Sequence, residues 1–223
     1  LCNRFKNKFT KYKLYKLKKM LVLVGLMGAG KSSVGKRLSE YLNVGFIDSD
    51  QEIEKAAGMN IVEIFEKFGE QYFRAGERKV INRLILHEPQ VLSTGGGAFI
   101  SKEIREVVKI HGFSIWLKAD LETLWPRISG KGNRPLLKNN YPKKELENLI
   151  IQRNPVYKKA DITITTNSNI SHLEMVDKII EKLKKHNIVT ETTRWNNYKM
   201  KIINAKYDGF THEIIIGNQI EKK

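Results

Sequence analysis

The sequence has a single cysteine, no long apolar run and no cluster of histidines. Because Cys2 is the only cysteine, the chain cannot form an internal disulfide, and we expect a reducing compartment, the cytoplasm. The longest apolar run, residues 20–27, contains a glycine and is far shorter than the roughly 20 residues that span a bilayer. The five histidines are scattered without the spacing of metal ligands. These shortages disfavour a secreted protein, a membrane-spanning protein and a histidine metal centre.

Acidic residues are absent from the first 19 positions. This leader holds eight Lys and Arg residues, which is half of the formal net charge of +16. Such a segment is typical of an arm that binds nucleic acid or an anionic membrane, of a targeting peptide, or of an extension upstream of an initiator at Met20. We favour the extension, since the sequence begins with Leu. We therefore expect a disordered leader, no stable nucleic-acid partner and no membrane span.

The strongest motif is Gly-Leu-Met-Gly-Ala-Gly-Lys-Ser at residues 25–32, directly after the apolar residues 20–24. It has the spacing G-x-x-x-x-G-K-[ST] of a phosphate-binding loop between a strand and a helix. The glycines let backbone N–H groups converge on phosphate at the start of the helix. We expect Lys31 to reach the β- and γ-phosphates and Ser32 to ligate Mg²⁺. The spacing does not fit G-x-G-x-x-G, which disfavours a dinucleotide-binding fold.

Apolar strand patterns alternate with helical patterns after this loop, which predicts an α/β domain over residues 20–188 with a five-stranded parallel sheet between helices. The predicted strands are residues 21–25, 45–48, 90–94, 114–117 and 161–165. The predicted helices are residues 31–42, 51–57, 61–86 with breaks near Gly69 and Gly76, 102–110, 121–128, 144–157 and 171–186. Residues 129–142 have the composition of a mobile loop. In the tail, residues 189–223, segments 200–205 and 213–217 are candidate hairpin strands.

Asp48-Ser49-Asp50 follows the second predicted strand, at the sheet edge where α/β proteins place ligands. One carboxylate there can hold Mg²⁺ through water, and the other can accept a hydrogen bond from a substrate hydroxyl. The alternative is an aspartate that caps the next helix, a role that Asp50 can also have.

Three arginines and a run of glycines are further candidates. Arg74 and Glu77 share a helix face, as substrate ligands or as a surface ion pair. Residues 95–97 are three glycines at a strand end, which indicates close approach to a ligand or a flexible turn. Arg134 lies in the mobile loop, where it can close over phosphates, and Arg153 can bind a carboxylate through its planar fork.

These motifs, in this order, resemble shikimate kinase over about residues 20–186. The resemblance rests on the phosphate loop, Asp-Ser-Asp, Phe-Arg-x-x-Glu, the triple glycine, Arg-Pro-Leu-Leu and Arg-x-x-x-Tyr. It implies the P-loop kinase fold with sheet order 2-3-1-4-5. It also implies transfer of the ATP γ-phosphate to the 3-hydroxyl of shikimate, in the route to chorismate and the aromatic amino acids.

The resemblance implies a role for each matching residue, with ATP and shikimate as partners of a monomer. The implied catalytic residues are Lys31, Asp48, Asp50 and Arg134. The implied ATP ligands are Gly28, Ala29, Gly30, Lys31, Ser32, Ser33 and Arg134, and the implied Mg²⁺ ligands are Ser32 and Asp48. The implied shikimate ligands are Asp50, Arg74, Gly95, Gly96, Gly97 and Arg153, with Asp50 also a candidate base. Residues 166–170 contain no Arg or Lys, so the adenine contact is left unassigned.

Two alternatives compete with this interpretation. One is another small-molecule kinase of the same fold, similar to gluconate kinase, although the two arginines and the triple glycine favour a carboxylated ring as substrate. The other is a nucleic-acid-binding protein that uses the basic leader. The segment from Met200 onward weakly resembles the opening of 3-dehydroquinate synthase, and a disordered or loosely docked tail is its alternative.

Overall fold

The structure is a computed structural model that describes residues 4–129, 142–207 and 210–219. It divides into two compact units, one formed by Leu17–Thr190 and the other by Leu1–Lys16 with Glu191–Lys223. The strands are β1 (Arg4–Leu17), β2 (Met20–Val24), β3 (Phe46–Asp48), β4 (Val91–Ser93), β5 (Gly112–Lys118), β6 (Ile162–Thr165), β7 (Val189–Tyr207) and β8 (Phe210–Gln219). The helices are α1 (Lys31–Leu42), α2 (Ser49–Ala57), α3 (Ile61–Leu84), α4 (Lys102–His111), α5 (Leu121–Ile128), α6 (Pro142–Tyr157) and α7 (His172–Lys185).

A five-stranded sheet in the order β3-β4-β2-β5-β6 forms the centre of the larger unit. All of its neighbouring strands are parallel. Counted from β2, this is the order 2-3-1-4-5, so the predicted fold is confirmed. The five residues of β2 are apolar and buried, as expected for a central parallel strand that is covered on both faces.

The carboxyl ends of these strands meet at one edge, where the phosphate loop follows β2, Asp48 ends β3 and Thr94 follows β4. The backbone N–H of Thr94 donates to the Leu23 carbonyl at 3.2 Å, and its hydroxyl donates to the same oxygen at 2.9 Å. Register between β2 and β4 pairs Leu23 with Ser93. The end of β4 is therefore held beside the start of the phosphate loop, 71 positions away in the chain.

Helix α3 differs from its prediction at one of two glycines. Gly69, with φ 77° and ψ 173°, interrupts the helix as predicted. The break predicted near Gly76 is wrong, because the helix continues through that residue. A helical glycine costs only about 1 kcal/mol relative to alanine. The buried side chains of Phe73 and Val80 on either side supply apolar contacts that offset such a cost.

The smaller unit is a three-stranded sheet in the order β1-β7-β8. Strands β7 and β8 pair antiparallel from Tyr198–Gln219 to Tyr207–Phe210, which confirms the predicted hairpin and lengthens both of its strands. The sequence predicted no regular structure in the leader, and the structure differs by placing β1 there. Lys11, Tyr12, Lys13 and Leu14 alternate polar with apolar residues, a pattern typical of strands.

Within the described ranges, no helix is both long enough and apolar enough to cross a bilayer.

Candidate active site

The phosphate loop has the backbone that its glycines allow. Gly25, Gly28 and Gly30 have φ values of 134°, 79° and 90°, which other L-residues rarely adopt. At Gly25 a Cβ atom would lie 2.7 Å from the backbone oxygen of Leu117, so the neighbouring strand β5 leaves no room for a side chain. The loop therefore lies tightly against the sheet edge and leads into α1 through Gly30, the residue that caps this helix.

The side chain of Lys31 turns back into this loop. Its Nζ donates to the carbonyl oxygens of Gly25 at 2.8 Å and Leu26 at 2.9 Å. The residue is only 9% exposed, so a positive charge lies almost buried beneath the loop. A Lys ammonium has three donors. This arrangement stabilises the loop and keeps the charge at the place where phosphates would bind.

A cavity of about 540 Å³ opens beside the loop, and we call it the nucleotide-side cavity. It is lined by Met27, Gly28, Gly30, Lys31, Ser32, Ser33, Asp48, Asp50, Ser93, Thr94, Gly96, Arg127 and His172. Most predicted ATP ligands lie here. Ala29 does not line the cavity, because it is buried and its backbone N–H donates to the Leu26 oxygen at 3.2 Å.

Ser32 and Asp48, the predicted Mg²⁺ ligands, are in direct contact. The Ser32 hydroxyl donates to Oδ2 of Asp48 at 2.7 Å. The other Asp48 oxygen accepts the backbone N–H of Asp50 at 3.1 Å, so Asp48 is the residue that caps α2. The prediction that Asp50 can have this capping role is wrong, since Asp50 lies inside the first turn of α2.

The Ser32–Asp48 pair has the chemistry that Mg²⁺ selects. Mg²⁺ is bound by oxygen atoms, usually one or two protein ligands together with waters and phosphate oxygens. Across the described residues there is no group of three or more His, Cys, Asp and Glu side chains placed to hold a metal ion. A hydroxyl and a carboxylate beside a phosphate loop therefore fit a site that the nucleotide would complete.

Asp50 presents an unsatisfied carboxylate oxygen. Its Oδ1 atom is buried and has no hydrogen-bond partner in the described part of the chain. Burial raises the pKa of Asp50 to about 6, and the nearby carboxylate of Asp48 acts in the same direction, whereas Lys31 lowers it. An unpaired acceptor of this kind is costly unless a ligand uses it.

A second cavity, of about 600 Å³, lies on the other side of Asp50, and we call it the substrate-side cavity. It is lined by Met27, Asp50, Glu54, Asn60, Ile61, Val62, Glu63, Phe65, Phe73, Arg74, Glu77, Gly95, Gly96, Gly97 and Arg153. All of the predicted shikimate ligands are present. The two cavities share Met27, Asp50 and Gly96, so they meet at the predicted base.

The triple glycine makes room for charged side chains. A Cβ atom on Gly95 would lie 2.6 Å from Oδ1 of Asp50. A Cβ atom on Gly97 would lie 2.5 Å from both terminal nitrogens of Arg74. The run is therefore a close approach between backbone and side chains, and the alternative of a merely flexible turn does not describe it.

Arg74 is held by two glutamates. Its Nη1 donates to Oε2 of Glu77 at 2.8 Å, and its Nε and Nη2 donate to Oε1 of Glu70 at 3.2 and 3.0 Å. Glu77 is 1% exposed, so the alternative of a surface ion pair is wrong. Burial raises the pKa of Glu77, although Arg74 and Arg153 oppose the shift.

Arg153 approaches the glycines from α6. Its Nη1 donates to the Gly96 carbonyl at 3.2 Å, and the hydroxyl of Tyr157 donates to the same oxygen. Arg74 and Arg153 come from different helices and line one cavity, and the charges of both act to lower the pKa of the buried Glu77. The predicted pairing of the two arginines on one ligand is therefore geometrically available.

The model of the shikimate kinase family matches residues 27–184 of the chain. The chain belongs to the shikimate kinase family. The shikimate kinase of Bartonella henselae is 48% identical over 177 residues, which cover 79% of this chain and 83% of that protein. The shikimate kinase of Ruegeria pomeroyi is 47% identical over 175 residues, which cover 78% and 90% of the two chains.

Similarity to solved structures supports the assignment of the chain to the shikimate kinase family. The shikimate kinase of Acinetobacter baumannii in complex with shikimate has a TM-score of 0.73 and 38% identity, and covers 76% of this chain and 95% of its own. A gluconokinase from Sinorhizobium meliloti has a TM-score of 0.50 at 16% identity, which indicates a shared fold alone. The alternative of a gluconate kinase is thus less well supported than shikimate kinase.

The nucleotide-side cavity contains two ionisable side chains that the sequence did not predict there, Arg127 and His172. Arg127 at the end of α5 donates to the Gly28 carbonyl at 3.2 Å and to the Asn167 carbonyl at 3.4 Å. His172 begins α7, and burial together with Arg37 and Arg127 lowers its pKa. No motif marks either residue, because Arg127 meets Gly28 across 99 positions of the chain. The predicted lid residue Arg134 lies outside the described residues.

Proposed function

We propose that this member of the shikimate kinase family transfers the γ-phosphoryl group of ATP to the 3-hydroxyl of shikimate across the junction of the two cavities. The observation that carries the proposal is Asp50, whose unpartnered oxygen lies where the two cavities meet. Lys31 and the Ser32–Asp48 pair line the nucleotide side, and Arg74 and Arg153 line the substrate side. The cations and the Mg²⁺ ligands of the first cavity suit a triphosphate, and the two arginines of the second cavity suit a carboxylated ring.

The substrate side fits a small carboxylic acid that also carries hydroxyl groups. Arg74 and Arg153 offer planar forks, which bind carboxylates with two parallel hydrogen bonds. Oδ1 of Asp50 is an acceptor for a hydroxyl on the same molecule. A ligand that supplies both groups would bind the remaining N–H donors of the arginines and the unpaired carboxylate oxygen at once.

The nucleotide side fits a triphosphate with Mg²⁺. The N–H groups of the phosphate loop and the ammonium of Lys31 would surround the phosphates, and Ser32 and Asp48 would hold the ion. Mg²⁺ supplies neutralisation of charge on the phosphate oxygens. Phosphoryl transfer needs little covalent help from a protein, so the main contribution of these residues is positioning and electrostatic stabilisation.

Asp50 would act as hydroxyl acceptor and base. A pKa of about 6 keeps most of this carboxyl ionised at neutral pH, where it can accept the proton of the attacking hydroxyl. Burial sets that value first, Asp48 and Glu77 raise it further, and the ammonium of Lys31 lowers it.

The proposal is tested by ADP release with shikimate, gluconate and nucleoside monophosphates as acceptors. We expect activity with shikimate and none above background with the others. Activity with gluconate or nucleoside monophosphates but not with shikimate would overturn it.

Removal of the Arg153 guanidinium gives a sharper test of the substrate-side cavity. We expect Arg153→Ala to raise KM for shikimate by about a hundredfold, since a buried bidentate contact to a carboxylate is worth several kcal/mol, and to leave KM for ATP nearly unchanged. Arg83→Ala is the control, because Arg83 is an exposed arginine of α3 outside both cavities. Equal increases of both KM values would contradict the role of Arg153.

We also propose a cytoplasmic monomer. The single cysteine suits a reducing compartment. Residues of one chain line both cavities, so the proposed reaction needs no second subunit. Light scattering of the purified protein during active turnover would test the oligomeric state.

A further inference from the structure

Tyr157 lies outside both cavities, yet its hydroxyl reaches the wall between them. It ends α6, is fully buried, and donates to the Gly96 carbonyl oxygen. Arg153 lies one helical turn earlier and donates to the same oxygen at 3.2 Å. Residues four positions apart share a helix face, which explains how both side chains meet one acceptor. A single carbonyl thus connects a buried tyrosine with an arginine of the substrate-side cavity.

The phenol of Tyr157 remains a hydrogen-bond donor throughout the working pH range. Burial raises its pKa to about 12, although Arg153 opposes the shift through its charge and a side-chain hydrogen bond. A protonated tyrosine can donate to Gly96 while its oxygen accepts from the arginine. The ring of Trp116, with its centroid 5.9 Å from that of Tyr157, lies against the phenol in the core. The packing of the two rings therefore fixes the position of the Tyr157 hydroxyl.

The direction of the Gly96 carbonyl affects the substrate-side cavity. Gly96 lies against the phosphate loop, since a Cβ atom there would be 3.3 Å from the backbone nitrogen of Met27. No cis peptide occurs among the described residues, and in a trans peptide the carbonyl and the following N–H point in opposite directions. A Gly96 carbonyl that faces α6 therefore turns the N–H of Gly97 away from α6, and Gly97 lines the substrate-side cavity.

We infer that Tyr157 is a positioning residue for the acidic substrate, which acts by holding the Gly96–Gly97 peptide and the Arg153 guanidinium in their binding orientation. The inference rests on the proposed function of the substrate-side cavity. Without the hydroxyl, the Gly96 carbonyl keeps Arg153 as its side-chain donor. The carbonyl then depends on Arg153 alone among these two donors, so it is held less firmly, and the guanidinium and the Gly97 amide lose their fixed directions.

Tyr157→Phe tests the inference, because it removes one oxygen and keeps the ring. We expect KM for shikimate to rise about tenfold, the effect of one lost hydrogen bond near a charged group, with less than about a twofold change in KM for ATP. The matched control is Ser114→Ala. Ser114 is a buried hydroxyl that donates to Oδ2 of Asp161 at 2.6 Å, away from both cavities. It should lower the melting temperature and change neither KM.

Four outcomes separate the possibilities. An unchanged KM for shikimate in folded Y157F, or equal increases in both KM values, would overturn the inference. If R153A leaves KM for shikimate unchanged, the proposed function of the cavity fails. If R153A raises it and Y157F does not, only the role of Tyr157 fails.

A double-mutant cycle tests whether Tyr157 acts through Arg153. Both side chains bind one oxygen, so R153K and Y157F should raise KM for shikimate together by less than the product of their separate factors. If the double variant raises KM for shikimate by the full product of the two separate factors, the two residues act independently and the shared action is contradicted.

A tyrosine analogue keeps the inference testable even if Y157F does not fold. Difluorotyrosine at position 157 retains the hydroxyl and the shape of the ring but has a more acidic phenol. We expect KM for shikimate to rise at alkaline pH, where the phenolate can no longer donate to Gly96, at a lower pH than in the unsubstituted enzyme. A KM that has the same pH dependence in both proteins would overturn the inference.

Discussion

At the residue scale, the site depends on buried charges that lack full hydrogen bonding. Oδ1 of Asp50 and Oε1 of Glu77 are both buried without a partner among the described residues. Each would lie within 3 Å of a Cβ atom on Gly95, so they converge on one point of the substrate-side cavity. Such a cluster is unfavourable by itself and becomes favourable when a ligand donates to it.

The titration of Asp50 predicts how activity depends on pH. Only the ionised carboxyl can accept the hydroxyl proton, so kcat/KM should fall as the pH decreases through about 6. Asp50→Asn should abolish this acid limb and lower kcat by about a hundredfold or more. A pH–rate profile with saturating ATP measures both effects. An acid limb that persists in D50N would show that another group controls it.

The same carboxyl predicts a change in stability. The pKa of Asp50 is higher in the folded protein than its ordinary value of 3.8, so folding favours the protonated form. Its contribution to stability is complete below pH 3.8 and is lost as the pH rises through about 6. Asp50→Asn should therefore gain roughly 2 to 3 kcal/mol relative to the parent between pH 4 and pH 8. Urea unfolding at the two pH values measures this gain, and a pH-independent difference would contradict it.

The close contact between Gly97 and Arg74 predicts the effect of adding a methyl group at Gly97. Its φ of −98° suits any residue, so Gly97→Ala strains no backbone. The new methyl group would instead displace the Arg74 guanidinium, whose two nitrogens lie 2.5 Å from its position. We expect KM for shikimate to rise about tenfold while the free energy of unfolding changes by less than about 1 kcal/mol.

Gly76→Ala is the control for Gly97→Ala. Gly76 is helical, and a Cβ atom there would meet nothing within 4 Å. This substitution should stabilise the protein by up to about 1 kcal/mol and change neither KM. A similar loss of shikimate affinity in both variants would argue against displacement of Arg74.

At the element scale, the first part of α3 forms a wall of the substrate-side cavity. Asn60 begins this helix with a capping box, in which its side chain accepts the Glu63 N–H and the Glu63 carboxylate accepts the Asn60 N–H, both at 2.9 Å. The break at Gly69 leaves residues 61–68 as about two helical turns, a length that is marginal without support. The cap is therefore important for the shape of the cavity.

Asn60→Ala tests this dependence. We expect a loss of about 1 kcal/mol in stability together with a severalfold rise in KM for shikimate, since the helix start frays at the cavity wall. Ser171→Ala removes the equivalent capping box of α7, which lies outside the substrate-side cavity. It should cost similar stability and leave KM for shikimate unchanged. Thermal unfolding measures the loss of stability in the two variants, and steady-state kinetics measures KM for shikimate. Equal changes of KM in both variants would contradict the role of the Asn60 cap.

At the scale of the whole molecule, every described residue of both cavities belongs to the unit Leu17–Thr190. The leader and the tail contribute to a separate sheet. The division into a leader, a kinase domain and a tail, and the resemblance of the tail to 3-dehydroquinate synthase, stay predictions.

A chain of residues 17–190 should therefore keep kcat and both KM values within about twofold of the full chain, since no described ligand-binding group is removed. ADP release measures this outcome. Loss of activity in a shortened chain that still unfolds cooperatively would contradict it. Nucleic-acid binding by the full chain that disappears with the leader and with added salt would support the alternative function.

Local patterns predicted most of the fold. The apolar run before Gly25 and the alternation of strand and helix signals predicted the parallel sheet, because a strand covered on both faces has to be apolar throughout. In the larger unit, element ends matched or differed by at most two residues, as at α2, which begins at Ser49 rather than residue 51. The leader differs because its alternation of polar and apolar residues favours a strand, whereas its charge alone is typical of a disordered segment.

The sequence by itself determined the phosphate loop, the alternation of strands and helices and the set of polar residues that follow the strands, because each depends on spacing along a short stretch of chain. The order of the sheet was expected only from the resemblance, since it depends on pairing between distant segments. Only the tertiary structure decided which oxygens lack partners, which charges are buried and which glycines face a side chain. Arg127 on Gly28, Tyr157 on Gly96 and Arg74 beside Gly97 are contacts between distant segments. Burial and the resulting pKa of Asp50 arise from such packing, which no local pattern encodes.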